Sequence, residues 1–180
     1  ATVVTGDEPL TGPGAAEELV RSVGEVDVLI ANLSFPAPST PAAEVGDEEW
    51  RAVFAHLVDP LPRLVRAVLP QMTARGSGKV IVMGSAAALR GMRRTSTYSA
   101  ARGAQVAYVR AVGTEVAPLG VQVNLIAQNF VENDAYFPEE VRALPAFQER
   151  LRRWVPVQRL GTPSEDAMLA VFLASDECRF

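Results

Sequence analysis

Ser85, Tyr98 and Arg102 are the residues of this chain whose types and spacing could do chemistry, in the stretches Gly84-Ser85-Ala86 and Tyr98-Ser99-Ala100-Ala101-Arg102. On a helix, positions four apart share a face, so the guanidinium would stand beside the phenol and bias it toward phenolate. A serine hydroxyl arriving from a strand end would hold a substrate oxygen next to that base. The result is a proton-abstracting site that uses no metal. Taken alone, Tyr98 and Arg102 read rather as a cation–ring contact on a helix face. Ser85, thirteen residues earlier, and the order of the surrounding strands are what favour a site.

Such a site needs strands and helices in alternation, and the apolar pattern supplies them. A helical pattern from about Pro13 to Val23 carries Ala15, Leu19, Val20 and Val23 on its apolar side and leads into a short strand at Val26–Ala31. Asp47, a plausible N-cap, opens a long periodic segment through Trp50, Val53, Phe54, Leu57, Leu61, Leu64, Val68 and Met72, which Pro60 and Pro62 should bend. Gly76-Ser77-Gly78 breaks it before a buried strand at Lys79–Met83. A helix over about 95–117 follows, stopped by Pro118-Leu119-Gly120, and then a third strand at Val121–Ile126. Ala1–Val4 also reads as a strand. Parallel strands joined by helices form an open, doubly wound sheet that binds ligands beyond its carboxyl ends. Ser85, Tyr98, Arg102 and the loop after Ile126 would meet there.

The 180 residues, 48% of them apolar, are enough for one core and show no compositional break, so a single domain over 1–180 is expected. A formal charge of -4 without a basic stripe argues against nucleic acid as a partner. No apolar run approaches membrane-spanning length, and a soluble, cytoplasmic protein is expected. Cys178, the single cysteine, cannot form an internal disulfide, and His56, the single histidine, reads as a packed or surface residue of a helix. No spacing suits a metal site. Trp50 and Trp154 read as helix-packing residues. The start without methionine and the abrupt end at Arg179-Phe180 suggest a longer protein cut at both ends.

The chain resembles the short-chain dehydrogenase/reductase superfamily over essentially its whole length. The resemblance rests on Val26-Asp27-Val28-Leu29-Ile30-Ala31-Asn32, Gly78-Lys79-Val80-Ile81, Gly84-Ser85-Ala86, Tyr98-Ser99-Ala100-Ala101, Val121-Gln122-Val123-Asn124 and Arg159-Leu160-Gly161-Thr162-Pro163. It implies a Rossmann-like three-layer α/β/α fold, here lacking the first β-α-β portion and the last strand. It also implies a homotetramer or homodimer. In that superfamily a lysine follows the tyrosine at this spacing and binds the nicotinamide ribose; Arg102 stands in its place. That substitution is similar to the halohydrin dehalogenase branch, which keeps the serine and tyrosine and has a halide pocket where the nicotinamide would lie.

The loop Ala127-Gln128-Asn129-Phe130-Val131 agrees, since it lacks the Pro-Gly pair usual after the third of these strands. Asn32-Leu33-Ser34-Phe35-Pro36 likewise departs from the Asn-Asn-Ala-Gly that usually lies along the cofactor. The resemblance implies Ser85, Tyr98 and Arg102 as catalytic residues, and Gln128, Asn129, Phe130, Val131 and Phe137 as halide or substrate contacts. The implied partners are a haloalcohol or epoxide and a halide or other small anion, with no redox cofactor. The alternative is an NAD(P)-dependent dehydrogenase or ketoreductase with arginine for lysine, and a second alternative is an inactive binding or scaffold homologue. No Gly-x-Gly-x-x-Gly occurs; Gly12-Pro13-Gly14 reads as a loop before a helix.

Overall fold

Val80, Ile81 and Val82 are β-branched and essentially without solvent exposure, which suits a strand covered on both faces. In the computed structural model, which describes residues 2–5, 10, 12–134 and 136–179, they form the middle of the central strand β2 (Gly78–Met83). It is flanked by β1 (Val28–Ala31) and β3 (Val121–Ile126) in the order β1-β2-β3. Both pairings are parallel: Val28 faces Lys79 and Ala31 faces Val82, while Gly78 faces Val121 and Met83 faces Ile126. All three strands therefore end at one edge.

The helices that join them are α1 (Ala15–Val23), α2 (Asp47–Leu57), α3 (Pro60–Arg75) and α4 (Ser96–Val116). α5 (Glu139–Arg142), α6 (Pro145–Trp154) and α7 (Pro163–Ala174) follow β3. The two-residue period of β2 divides the core. Val80 and Val82 pack with Leu61, Leu64, Val65, Val68 and Met72 of α3 and with Val109, Val112 and Val116 of α4. Ile81 and Met83 face the other way, against Ala170, Leu173 and Ala174 of α7. Each fully buried Val or Ile contributes roughly 1.5–3 kcal/mol by leaving water. The layers are helix, sheet, helix, and the Rossmann-like α/β fold expected from the sequence is the one adopted.

The long periodic segment is two helices. Pro60 has no N–H to give and starts α3 at its first position, and Leu61 N donates to the Val58 carbonyl at 3.1 Å. The carbonyl of Leu57, which a continuous helix would have paired with Leu61, is left to other donors. Gly46, not Asp47, is the cap residue of α2. Lys79 ties the third layer to the sheet, its ammonium donating to the carbonyl of Leu173 in the last turn of α7 at 3.2 Å and to those of Ser175 at 2.6 Å and Cys178 at 2.7 Å just past it.

The strand expected at Ala1–Val4 is not formed at Thr2–Val4, where Val3 and Val4 are exposed and no strand among the described residues pairs with them; Ala1 lies outside the described residues. Trp50 and Trp154 are half exposed, Trp50 stacking on Phe54 at 4.5 Å and Trp154 lying under Arg90 and Arg153. Among the described residues no helix is long and apolar enough to cross a membrane.

Candidate active site

The carboxyl edge of the sheet gathers the residues marked by the sequence. β2 ends at Met83, and Gly84 turns the chain so closely against Leu125 that a Cβ there would lie 2.7 Å from its Cδ2. Ser85 follows, half-buried, its Oγ accepting from Ala87 N at 3.2 Å. Ala87 packs in one cluster with Tyr98, Ala101, Val53 and Leu57. Tyr98 and Arg102 lie in the first two turns of α4 and are both buried, at 6% and 5% exposure. Glu49 of α2 anchors the start of that helix, accepting from Thr97 at 2.7 Å and from Thr40 at 2.6 Å. These hydroxyls hold its carboxyl below the ordinary value, the Thr40 bond most strongly.

The guanidinium of Arg102 lies 5.2 Å from the centre of the Tyr98 ring. Its Nη1 donates to the Met83 carbonyl and to Gln105 Oε1, both at 3.0 Å, and its Nη2 donates to the Leu33 carbonyl at 3.1 Å. The cation thus cross-links the ends of β1 and β2 from beneath the tyrosine. Nε is buried and has no hydrogen-bond partner among the described residues. Gln105 has no exposed surface and passes the connection on to the Leu57 carbonyl at 2.6 Å.

The loop after β3 brings in a second phenol. Tyr136 donates to the Phe35 carbonyl at 2.5 Å, in the segment whose Leu33 carbonyl receives Arg102. Burial holds the Tyr136 hydroxyl above the ordinary tyrosine value; the neighbouring Tyr98 adds to this, while Ser34 and Arg102 work against it. Phe35 packs on the Tyr98 cluster and lies 4.6 Å from the ring of His56.

The expected halide contacts share this loop but are not gathered around one point by their polar ends. The Gln128 amide donates to Asp166 of α7, while the Gln128 carbonyl accepts from Ala86 N at 2.7 Å, beside Ser85. Asn129 is exposed and takes Arg90 on its Oδ1 at 2.6 Å. Phe130 and Phe137 stack at 5.7 Å, Phe137 leans on the buried Phe147 at 5.4 Å, and Arg150 covers Phe130 and Phe147. Val131 pairs with Gly161 in an isolated bridge.

Gln105 and Tyr136 are the site residues that motif reading passes over. For Gln105 a signal was present, because it is a polar residue three positions beyond Arg102 on the face that carries Tyr98, Ala101 and Val109. Nothing in the sequence pairs Tyr136 with Phe35.

A family model described as enoyl-(acyl carrier protein) reductase matches residues 11–180. The chain is 30% identical over 176 residues to the 3-oxoacyl-(acyl-carrier-protein) reductase FabG of Escherichia coli, covering 95% of this chain and 70% of that protein. A solved structure described as a dehalogenation enzyme superposes with a TM-score of 0.85 at 31% identity, over 96% of this chain and 70% of the other. Halohydrin dehalogenase HheC bound to ethyl (2S)-oxiran-2-ylacetate superposes with a TM-score of 0.85 at 30% identity, over 98% of this chain and 71% of the other.

Proposed function

The chain belongs to the short-chain dehydrogenase/reductase superfamily, and within it we propose that Ser85, Tyr98 and Arg102 serve a halohydrin dehalogenase, closing a vicinal haloalcohol to an epoxide with no hydride transferred. The observation that carries this reading is how Arg102 is spent. Three of its five N–H groups already donate to protein acceptors, so the cation is built largely into the wall of the site. A ribose diol needs donors at that place, and a guanidinium so engaged offers it fewer than a free ammonium would. The likeness to two dehalogenase structures supports the reading as well.

In this mechanism the Tyr98 phenolate takes the proton of the substrate hydroxyl. The resulting alkoxide attacks the neighbouring carbon from the side opposite the halogen, the carbon–halogen bond breaks, and the halide leaves with the bonding pair. Tyr98 then returns its proton to water. Arg102 stays charged throughout, as an arginine does even when buried, and stabilises the negative charge on the phenol. Ser85 accepts from Ala87 N and has its own O–H left for the substrate oxygen. The halide seat is the loop formed by Gln128, Asn129, Phe130, Val131 and Phe137, whose ring edges suit a weakly hydrated anion. Assembly into a homodimer or homotetramer belongs to the same proposal; Met168, Leu169, Val171 and Phe172 leave an apolar surface exposed on α7.

A second reading, an NAD(P)-dependent ketoreductase, is favoured by the 30% identity to 3-oxoacyl-(acyl-carrier-protein) reductases. One pair of measurements separates the two. Halide release from 1,3-dichloro-2-propanol without added nucleotide is expected, and tight saturable binding of NADH or NADPH with no halide release would overturn the dehalogenase reading.

A further inference from the structure

We infer that Gln105 is a positioning residue of this site: it fixes the plane of the Arg102 guanidinium against Tyr98, using a backbone carbonyl that the break between α2 and α3 sets free. The inference rests on the reading of Arg102 as the cation of a proton-abstracting site.

The two ends of the Gln105 side chain work in opposite directions. A guanidinium only donates and a carbonyl only accepts, so Oε1 must face Arg102 Nη1 at 3.0 Å and Nε2 must face the Leu57 carbonyl at 2.6 Å. No other orientation of the amide satisfies both neighbours. The Leu57 carbonyl is available because Pro60 begins a new helix and Leu61 N goes to Val58. Gln105 itself has no contact with solvent, and in that surrounding each of these bonds strengthens the next.

The consequence lies at Arg102. Three acceptors, from Met83, Gln105 and Leu33, engage its two terminal nitrogens and define its plane. Nε remains buried and has no partner among the described residues. Remove Gln105 Oε1 and Nη1 keeps only the Met83 carbonyl, so the group is held by one bond at each terminal nitrogen and its plane is less tightly fixed against the Tyr98 ring. Misplacement of a catalytic group by about 1 Å can slow the chemical step by on the order of 10²-fold. Leucine or methionine would fill the same space, so an amide here serves the two polar neighbours.

The test uses the whole protein with arginine labelled in its side-chain nitrogens. The Arg102 guanidinium signals are assigned by their loss in Arg102→Lys. Gln105→Met, nearly the same size, is expected to loosen the Arg102 guanidinium, read as faster exchange between its separate Nη signals. In the same variant kcat for halide release should fall by about 10- to 100-fold while KM stays within about two-fold. Gln105→Asn, which withdraws the amide by one methylene, gives the same reading should the methionine variant fail to fold. Nη exchange as slow as in the wild type in either variant, or faster exchange with kcat unchanged, overturns the inference. If the wild-type protein releases no halide, the dehalogenase reading falls and the Arg102 signals alone decide whether Gln105 positions the cation.

Discussion

The Tyr136 hydroxyl and the Phe35 carbonyl meet at 2.5 Å although 101 positions separate them in the chain. Through this contact the loop after β3 is latched to the segment after β1, next to Tyr98. Tyr136→Phe deletes the donor alone. A neutral hydrogen bond contributes about 0.5–1.5 kcal/mol, so kcat/KM for halide release should fall roughly 2- to 10-fold and amide exchange over 130–138 should rise. The titration has a definite sign. Because the folded hydroxyl sits above the ordinary 10.0, the latch contributes fully below that pH and is lost as pH rises through the higher folded value. Alkaline loosening of the loop, followed by hydrogen exchange, should be absent from Tyr136→Phe.

Tyr98→Phe removes the proposed base and leaves its ring among Val53, Leu57, Ala87 and Ala101. Halide release should drop by about 10²- to 10⁴-fold, the range of a general base, with the thermal midpoint nearly unchanged. Retained activity would show that another group takes the proton.

Arg102→Lys replaces a planar fork by a point charge that cannot meet the Met83 and Leu33 carbonyls and Gln105 in one plane. A buried acceptor left unpaired costs about 1–3 kcal/mol, which for a chain of this size lowers Tm by roughly 2–10 °C. Halide release should fall without any NADPH binding appearing in a fluorescence titration. Saturable NADPH binding by the lysine variant would mean that the cation alone had barred the cofactor.

Thr162 caps α7 in a capping box with Glu165, whose carboxylate also takes the Arg159 fork. That bond to Arg159 is the chief cause that lowers Glu165 from 4.5 to about 2. The depressed value means that the contribution is present above pH 4.5 and is lost as pH falls toward about 2. Thermal midpoints should therefore decline over that window, and Glu165→Gln should flatten the part of the decline that comes from α7. An unchanged acid profile in Glu165→Gln would show that the pair contributes little against solvent screening.

What could be read from the sequence was local in origin. The β-branched run at Val80–Val82 specified a doubly covered strand by its own chemistry, and Tyr98 and Arg102 shared a face because helix geometry requires it. Pro60 announced a disturbance in the long helix. The partner of the carbonyl it frees was not legible, because Gln105 reaches Leu57 across 48 positions and only after the layers have packed. Gln128 and Asn129 show the same limit. Amides donate and accept in any direction, and only the fold sends one to Asp166 and the other to Arg90. The β-branched run Thr2-Val3-Val4 near the start reads like a strand, yet a strand exists only with a neighbour to bond.

Leu33 and Phe35 receive Arg102 and Tyr136 on carbonyls two residues apart. This spacing acts as a ruler. Adding or removing one residue between Ala31 and Phe35 would present the wrong carbonyl to both partners at once, unseating the cation and unlatching the loop together. Further on, Ser39 and Thr40 are held in turn by Arg94 and Glu49. Among relatives of this protein, length variation should therefore collect after Thr40, in the run to Gly46, and be purged from the few residues between Ala31 and Phe35.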